Sequence, residues 1–251
     1  QLMERSVNTN QFLYLGNHSM NEIFNEDCYK TLTERNIEYH YTCFSPPDYD
    51  ELNLTPIKDD NEYLDWQRKI YSELDPINNV VTIVTSLRRH KARTIPKDYH
   101  VYEIMKELGY SLITKKVWIK PIIDHKGVKL GLINNLYRYD NAIVQSFGKG
   151  KIKSKGTKRY RADNWTEDYK AEKFGNLTYT YHYPAKMISR CIENFTDEGE
   201  IVYDPFIGIG TTAVACKDLN RNYYGSEIDK KVCDVGIKRL TNYQKIRKFI
   251  K

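Results

Sequence analysis

The segment Asp204-Pro205-Phe206-Ile207-Gly208-Ile209-Gly210-Thr211-Thr212 constrains the fold more than any other, because it follows a strand directly and opens a helix directly. Ile201–Tyr203 reads as the strand and Thr211–Leu219 as the helix. Between them, Gly208 and Gly210 let the backbone turn sharply and let a ligand approach with no Cβ in the way. The next strand, Asn222–Glu227, ends on an acid followed by Ile228 and Asp229. Glu227 lies close to the roughly 20 residues beyond the turn at which an acid meets ribose hydroxyls in nucleotide-binding βαβ units. A phosphate-binding loop would end in Gly-Lys-Ser/Thr and a dinucleotide fold would carry a third glycine, and neither is present. The alternative is a tight strand-to-helix turn that binds nothing.

The rest of the chain repeats the alternation. Val80–Thr85 is β-branched and nearly continuous, as expected of a strand buried on both faces of a parallel sheet. Tyr99–Leu108 has helical apolar spacing and stops at Gly109, and Ser111–Ile119 reads as a further strand. Pro184–Phe195 and Lys230–Leu240 read as helices. This order predicts an α/β fold with a doubly wound, mostly parallel, Rossmann-like sheet, in one domain over residues 1–251. Residues 120–180 have weaker periodicity and are expected to form an inserted contact region or a long loop.

Composition narrows the function. No stretch approaches the roughly 20 apolar residues that cross a bilayer, so the chain is expected to be soluble, cytoplasmic and without a membrane partner. The cysteines Cys28, Cys43, Cys191, Cys216 and Cys233 are scattered, show no Cys-x-x-Cys spacing and never follow a proline. They read as buried thiols, with no metal site and no Pro-Cys nucleophile. The net charge of +6 is uneven: residues 115–175 carry 15 basic and 6 acidic side chains, whereas residues 1–114 carry 12 and 18. A basic middle third points to a polyanion partner.

The second chemical segment is Thr42-Cys43-Phe44-Ser45-Pro46-Pro47-Asp48-Tyr49, after an expected strand Ile37–Phe44. Two prolines fix the backbone and remove two N–H donors, so neighbouring carbonyls become rigidly aimed acceptors. An exocyclic amine on a base is a poor nucleophile because its lone pair is delocalised into the ring. A serine oxygen and a proline carbonyl that take both amino hydrogens favour a tetrahedral nitrogen and free that lone pair. An ordinary Ser-Pro-Pro loop is the alternative.

Together the two segments resemble the amino-methyltransferases of DNA, in the permuted order that places the catalytic motif before the cofactor motif. The resemblance extends over most of the chain. Asn25-Glu26-Asp27-Cys28-Tyr29 is similar to the family's acidic segment near the cofactor, and Val117-Trp118-Ile119-Lys120-Pro121 to its Trp-x-Lys strand end. Tyr139–Lys149 resembles a later strand, and His182-Tyr183-Pro184-Ala185-Lys186 the His-Pro-Ala helix start with Tyr183 added. The resemblance implies S-adenosyl-L-methionine as cofactor, with Asp27, Cys28, His182, Pro184, Asp204, Pro205, Phe206, Gly208, Gly210, Thr211, Thr212, Glu227, Ile228 and Asp229 about it. His182 would be a structural residue at the cofactor's edge. Ser45, Pro46, Pro47, Asp48 and Tyr49 would form the catalytic loop.

In that family Ser-Pro-Pro-Tyr accompanies cytosine N4 methylation, and Asp- or Asn-Pro-Pro-Tyr adenine N6 methylation. Ser45 thus favours cytosine, while Asp48 stands where the family's base-stacking aromatic belongs and displaces Tyr49 by one. The target base must leave its duplex to be reached, at a cost of a few kcal/mol. For DNA phosphates the candidates are Lys149, Lys151, Lys153, Lys155, Lys158, Arg159 and Arg161, with Arg88 and Arg89 as a second patch. Methylation of an RNA base is one alternative, and a silent binding protein, motivated by Asp48, is another. The short insertion leaves little surface for wrapping a duplex, which points either to a homodimer or to limited specificity. No motif identifies a recognition site or a restriction endonuclease partner.

Overall fold

The computed structural model describes residues 20–48, 59–86, 88–90, 93–119, 141–152, 164–165, 172–174, 177–179 and 183–250. The strands are β1 (Glu22–Phe24), β2 (Tyr41–Phe44), β3 (Val80–Ser86), β4 (Arg88–His90), β5 (Arg93–Ile95), β6 (Ser111–Ile119), β7 (Asn141–Gly148), β8 (Asn164–Trp165), β9 (Glu172–Phe174), β10 (Leu177–Tyr179), β11 (Ile201–Asp204) and β12 (Asn222–Ser226). The helices are α1 (Cys28–Glu34), α2 (Asp60–Ser72), α3 (Lys97–Glu107), α4 (Ala185–Phe195), α5 (Thr211–Asp218) and α6 (Lys230–Ile250).

Eight strands make one sheet in the order β1-β12-β11-β2-β3-β7-β6-β8. Neighbours from β1 through β3 pair in parallel, β7 runs antiparallel to both β3 and β6, and β8 pairs parallel with β6. Two small antiparallel pairs, β4 with β5 and β9 with β10, stand apart from it. The expected doubly wound α/β sheet is the one observed.

Strand alternation explains why helices cover both faces. Val80 and Val84 of β3, with Tyr41 and Cys43 of β2, pack against Met187, Ile188 and Ile192 of α4 and Ala213 of α5. Val81 and Ile83, with Phe44, pack against Ile70 and Tyr71 of α2 and Val101, Ile104 and Met105 of α3 on the other face. Successive residues of one strand serve opposite layers, so β2 and β3 read as continuous apolar runs. The strand over Val80–Thr85 thus has the expected two-sided burial, although β7 makes one of its neighbours antiparallel.

Boundaries shift where loop contacts compete with the ladder. The strand expected from Ile37 begins at Tyr41, because the Tyr39 and His40 carbonyls accept from Ile77 and Asn78 N–H at 2.9 Å each. α6 continues beyond Leu240 to Ile250. α2 is a helix that the apolar pattern does not announce; Asp59 caps it by accepting from the N–H groups of Asn61 and Glu62. Within the 120–180 span, residues 141–148 are built into the sheet as β7, while 120–140 and 153–163 lie outside the described residues. Among the described residues, no helix is long and apolar enough to cross a membrane.

Candidate active site

The two chemical segments leave adjacent parallel strands. β11 pairs with β2 in the register Val202–Tyr41 and Tyr203–Thr42, so Asp204 and Ser45 emerge at the same edge of the sheet. From β11 the chain goes through α5 to β12 on one side, and from β2 through α2 to β3 on the other. The winding reverses between β11 and β2, and in open α/β sheets ligands bind in the crevice beyond the strand ends at such a point.

On the β11 side the turn is organised by two carboxylates. Asp204, 4% exposed, accepts from Phe206 N–H at 2.9 Å and from the Thr212 hydroxyl at 2.6 Å. Both of its oxygens are engaged inside the turn, so Asp204 shapes the loop directly. Burial pushes its carboxyl up to about 7, against the bonds from Thr212 and Phe206. Glu227 accepts from Gly208 N–H at 3.1 Å on one oxygen and from Asp229 N–H at 2.8 Å on the other, and burial raises its pKa as well. Pro205 links the strand end to Phe206.

Gly208 and Gly210 have φ of 54° and 81°, in the left-handed region that costs other residues roughly 1–2 kcal/mol. At Gly236 of α6, a Cβ would stand 3.0 Å from the Gly208 carbonyl oxygen. That close approach, and the bonds of Arg239 to the Ile209 carbonyl and Thr211 hydroxyl at 3.2 Å each, brace the turn from behind. Neither Gly236 nor Arg239 carries a sequence signal, since both act only once α6 has packed.

At the end of β1, Asn25 donates to the carbonyls of Glu227 at 2.9 Å and Ile228 at 3.3 Å. Asp27 caps α1 by accepting from Tyr29 N–H, and Cys28 is buried with its thiol pushed up by desolvation. Asp229 accepts from Lys231 and Val232 N–H at the start of α6, and Ile228 is exposed. Pro184 begins α4, where Tyr183 meets the Trp118 ring edge-on at 5.8 Å near the end of β6. His182 lies outside the described residues.

The β2 side is held differently. Pro46 is buried, and Ser45, Pro47 and Asp48 are half-buried. The Tyr63 hydroxyl of α2 donates to the Pro47 carbonyl at 2.8 Å, and Gln67 donates to the Tyr63 oxygen at 3.2 Å. Asp48 is ion-paired with Lys97 at the start of α3, and Lys97 also reaches the Ser86 hydroxyl at 3.4 Å. A hollow opens between Asp48, Tyr63, Lys97 and His100. Rings connect the two sides: Phe206 meets Phe44 at 5.6 Å and Trp66 at 5.5 Å, and Trp66 stacks on Tyr63 at 5.7 Å. Tyr49 lies outside the described residues.

The basic candidates divide between two edges. β7 runs against β3, so Gly148 stands beside Val80 at the start of that strand and Ala142 beside Ser86 at its end. Lys149 and Lys151, exposed just after β7, therefore lie at the edge opposite Ser45; Lys149 sits 4.2 Å from the Tyr110 ring centre. Arg88 and Arg89 belong to β4, just beyond the end of β3 at the edge where Ser45 emerges. Lys153, Lys155, Lys158, Arg159 and Arg161 lie outside the described residues.

A family model described as DNA methylase, of the N6/N4 methyltransferase type, matches residues 28–238. The chain is 27% identical over 257 aligned positions to the type II methyltransferase M.BglII of Bacillus subtilis, covering 88% of this chain and 69% of that one. The fold resembles the cytosine-N4-specific PvuII DNA methyltransferase, with a TM-score of 0.69, 16% identity and coverage of 87% of this chain and 86% of that one. It also resembles M1.HpyAVI in its SAM complex, with a TM-score of 0.61, 21% identity and coverage of 87% and 98%.

Proposed function

The chain belongs to the N6/N4 DNA methylase family, the DNA amino-methyltransferases, and on that premise we propose that it methylates cytosine at N4, drawing the methyl group from S-adenosyl-L-methionine. One observation carries the reading: the Ser45-Pro46-Pro47 loop and the Asp204–Thr212 turn leave neighbouring parallel strands at the one edge where the sheet's winding reverses.

The residues fit a bound sulfonium nucleoside. Gly208 and Gly210 keep the turn free of side chains, Phe206 supplies a ring beside it, and Glu227 keeps acceptor lone pairs beyond its two backbone bonds. Glu227 is assigned to the ribose hydroxyls, exposed Ile228 to the base of the nucleoside, and the 208–210 backbone to the methionine part. Asp27 and Cys28, at the start of α1, and Pro184, at the start of α4, are assigned to the rim of this pocket.

When bound, the cofactor supplies an electrophilic methyl on a positively charged sulfur. Transfer would join the amine nitrogen to that carbon as the C–S bond gives its electrons to sulfur, and the proton lost from nitrogen would pass to solvent when the product leaves. The protein holds the amine and excludes water, and positioning of this kind supplies most of the acceleration. Ser45 and the Pro46 carbonyl take the two amino hydrogens. Ser45 carries the base assignment, as the residue that accompanies cytosine N4 methylation at this place in the family's motif. The base is taken to arrive flipped from a duplex, and Arg88 and Arg89, in a strand at this edge, are assigned to its phosphates.

Duplex DNA incubated with methyl-labelled cofactor and digested to nucleosides tests the reading. Label in N4-methylcytosine is the expected result. Label in N6-methyladenine overturns the base assignment, and label confined to RNA offered in competition overturns the substrate.

A further inference from the structure

We propose that Tyr63 is a positioning residue for methyl transfer, its hydroxyl locking the Pro47 carbonyl so that Ser45 and the Pro46 carbonyl stay aimed at the target amine. The inference rests on the proposed reaction at that loop.

The need for such a residue follows from the loop's chemistry. Pro46 and Pro47 have no N–H, so this stretch cannot anchor itself by donating to its surroundings. It offers acceptors only, and a fixed position requires a donor from another element. Tyr63 is buried in α2 and donates to Pro47 at 2.8 Å. Gln67, also buried and one helical turn further on, donates to the Tyr63 oxygen at 3.2 Å. With a lone pair of that oxygen occupied by Gln67, the hydroxyl's own hydrogen is directed at Pro47.

The ring itself is held by Trp66, stacked at 20° between planes, and Trp66 in turn meets Phe206 of the cofactor turn. Tyr63 therefore ties the amine-holding loop to the cofactor side in one contact chain. Occupation of the Pro47 carbonyl leaves that of Pro46 as the proline acceptor for the amine. A misplacement of about 1 Å costs on the order of 100-fold in rate, which sets the scale of what this bond protects.

Tyr63→Phe removes only the hydroxyl. In single-turnover methylation of duplex DNA its rate is expected to fall about 10- to 100-fold, with cofactor Kd unchanged and Tm lowered only slightly. The split between rate and binding gives a second reading: the loss should sit in the transfer step, with Kd for duplex DNA as well as for cofactor unchanged, which a merely loosened protein would not show. A Tyr63→Phe protein as fast as the parent, or one whose loss lies in cofactor or DNA Kd with the transfer step intact, overturns the proposal. A parent that transfers no methyl to DNA overturns the reaction assigned to the loop, and this inference with it.

Discussion

The turn after β11 and the loop after β2 stand side by side at one sheet edge, yet they are held in place by opposite means. The turn is held largely from within: Asp204 and Glu227 accept from the backbone of their own βαβ unit, at Phe206, Gly208 and Asp229. The loop has given up its donors to two prolines and is gripped from outside, by Tyr63 of α2 and Lys97 of α3. A locally organised segment presents a preformed pocket for a ligand that must bind at every turnover. A segment held by distant side chains has its geometry set by packing of the whole domain.

The sharpest break of this comparison is at the turn. Gly210→Val puts a β-branched side chain at φ 81°, with its Cβ 3.4 Å from Leu240, and should weaken cofactor binding on the order of 100-fold by calorimetry. Removal of an outside grip should do something different. Lys97→Met takes the ammonium from the half-buried Asp48 and should cost about 1–3 kcal/mol of stability, read as a lower Tm, together with a slower methyl-transfer step and unchanged cofactor Kd.

Asp204 gives a pH test of the internal grip. Its pKa rises from 3.8 to about 7 on folding because it is buried, so the folded state holds a proton that the unfolded chain has lost. That stabilisation is complete below pH 3.8 and is lost as pH rises through about 7, at roughly 1.4 kcal/mol per pH unit. Urea midpoints of the parent should therefore fall from pH 5 to pH 7 relative to Asp204→Asn, which has no proton to lose; parallel pH profiles would show that burial does not govern this carboxyl. The smallest effect is expected at the far edge. Lys149→Ala with Lys151→Ala should leave DNA affinity nearly unchanged at fixed salt, whereas Arg88→Ala with Arg89→Ala should weaken it and flatten its salt dependence.

The same contrast explains what the sequence made legible. The turn was readable because its parts are contiguous: strand, glycines, helix and following acid occur in chain order from Ile201 to Asp229. β6 matched its expected ends, and α4 and β11 came within a residue, because apolar periodicity reports burial directly. α2 was not legible, since Tyr63 and Gln67 are polar residues on its buried face and blur the apolar stripe. Their role arises only when α2 packs over β2. Lys97 is likewise one cation among many until α3 brings it to Asp48. The basic run was visible as charge, but the antiparallel course of β7, which carries Lys149 and Lys151 to the far edge, is a property of topology.

Ser45→Ala separates amine holding from cofactor binding when cofactor Kd and single-turnover methylation of duplex DNA are measured on the same preparation. Its rate should be lower by on the order of 100-fold, as for loss of one preorganised hydrogen-bonding group, with cofactor affinity intact. A Ser45→Ala protein that methylates at the parent's rate would contradict the assignment of this loop to the target amine.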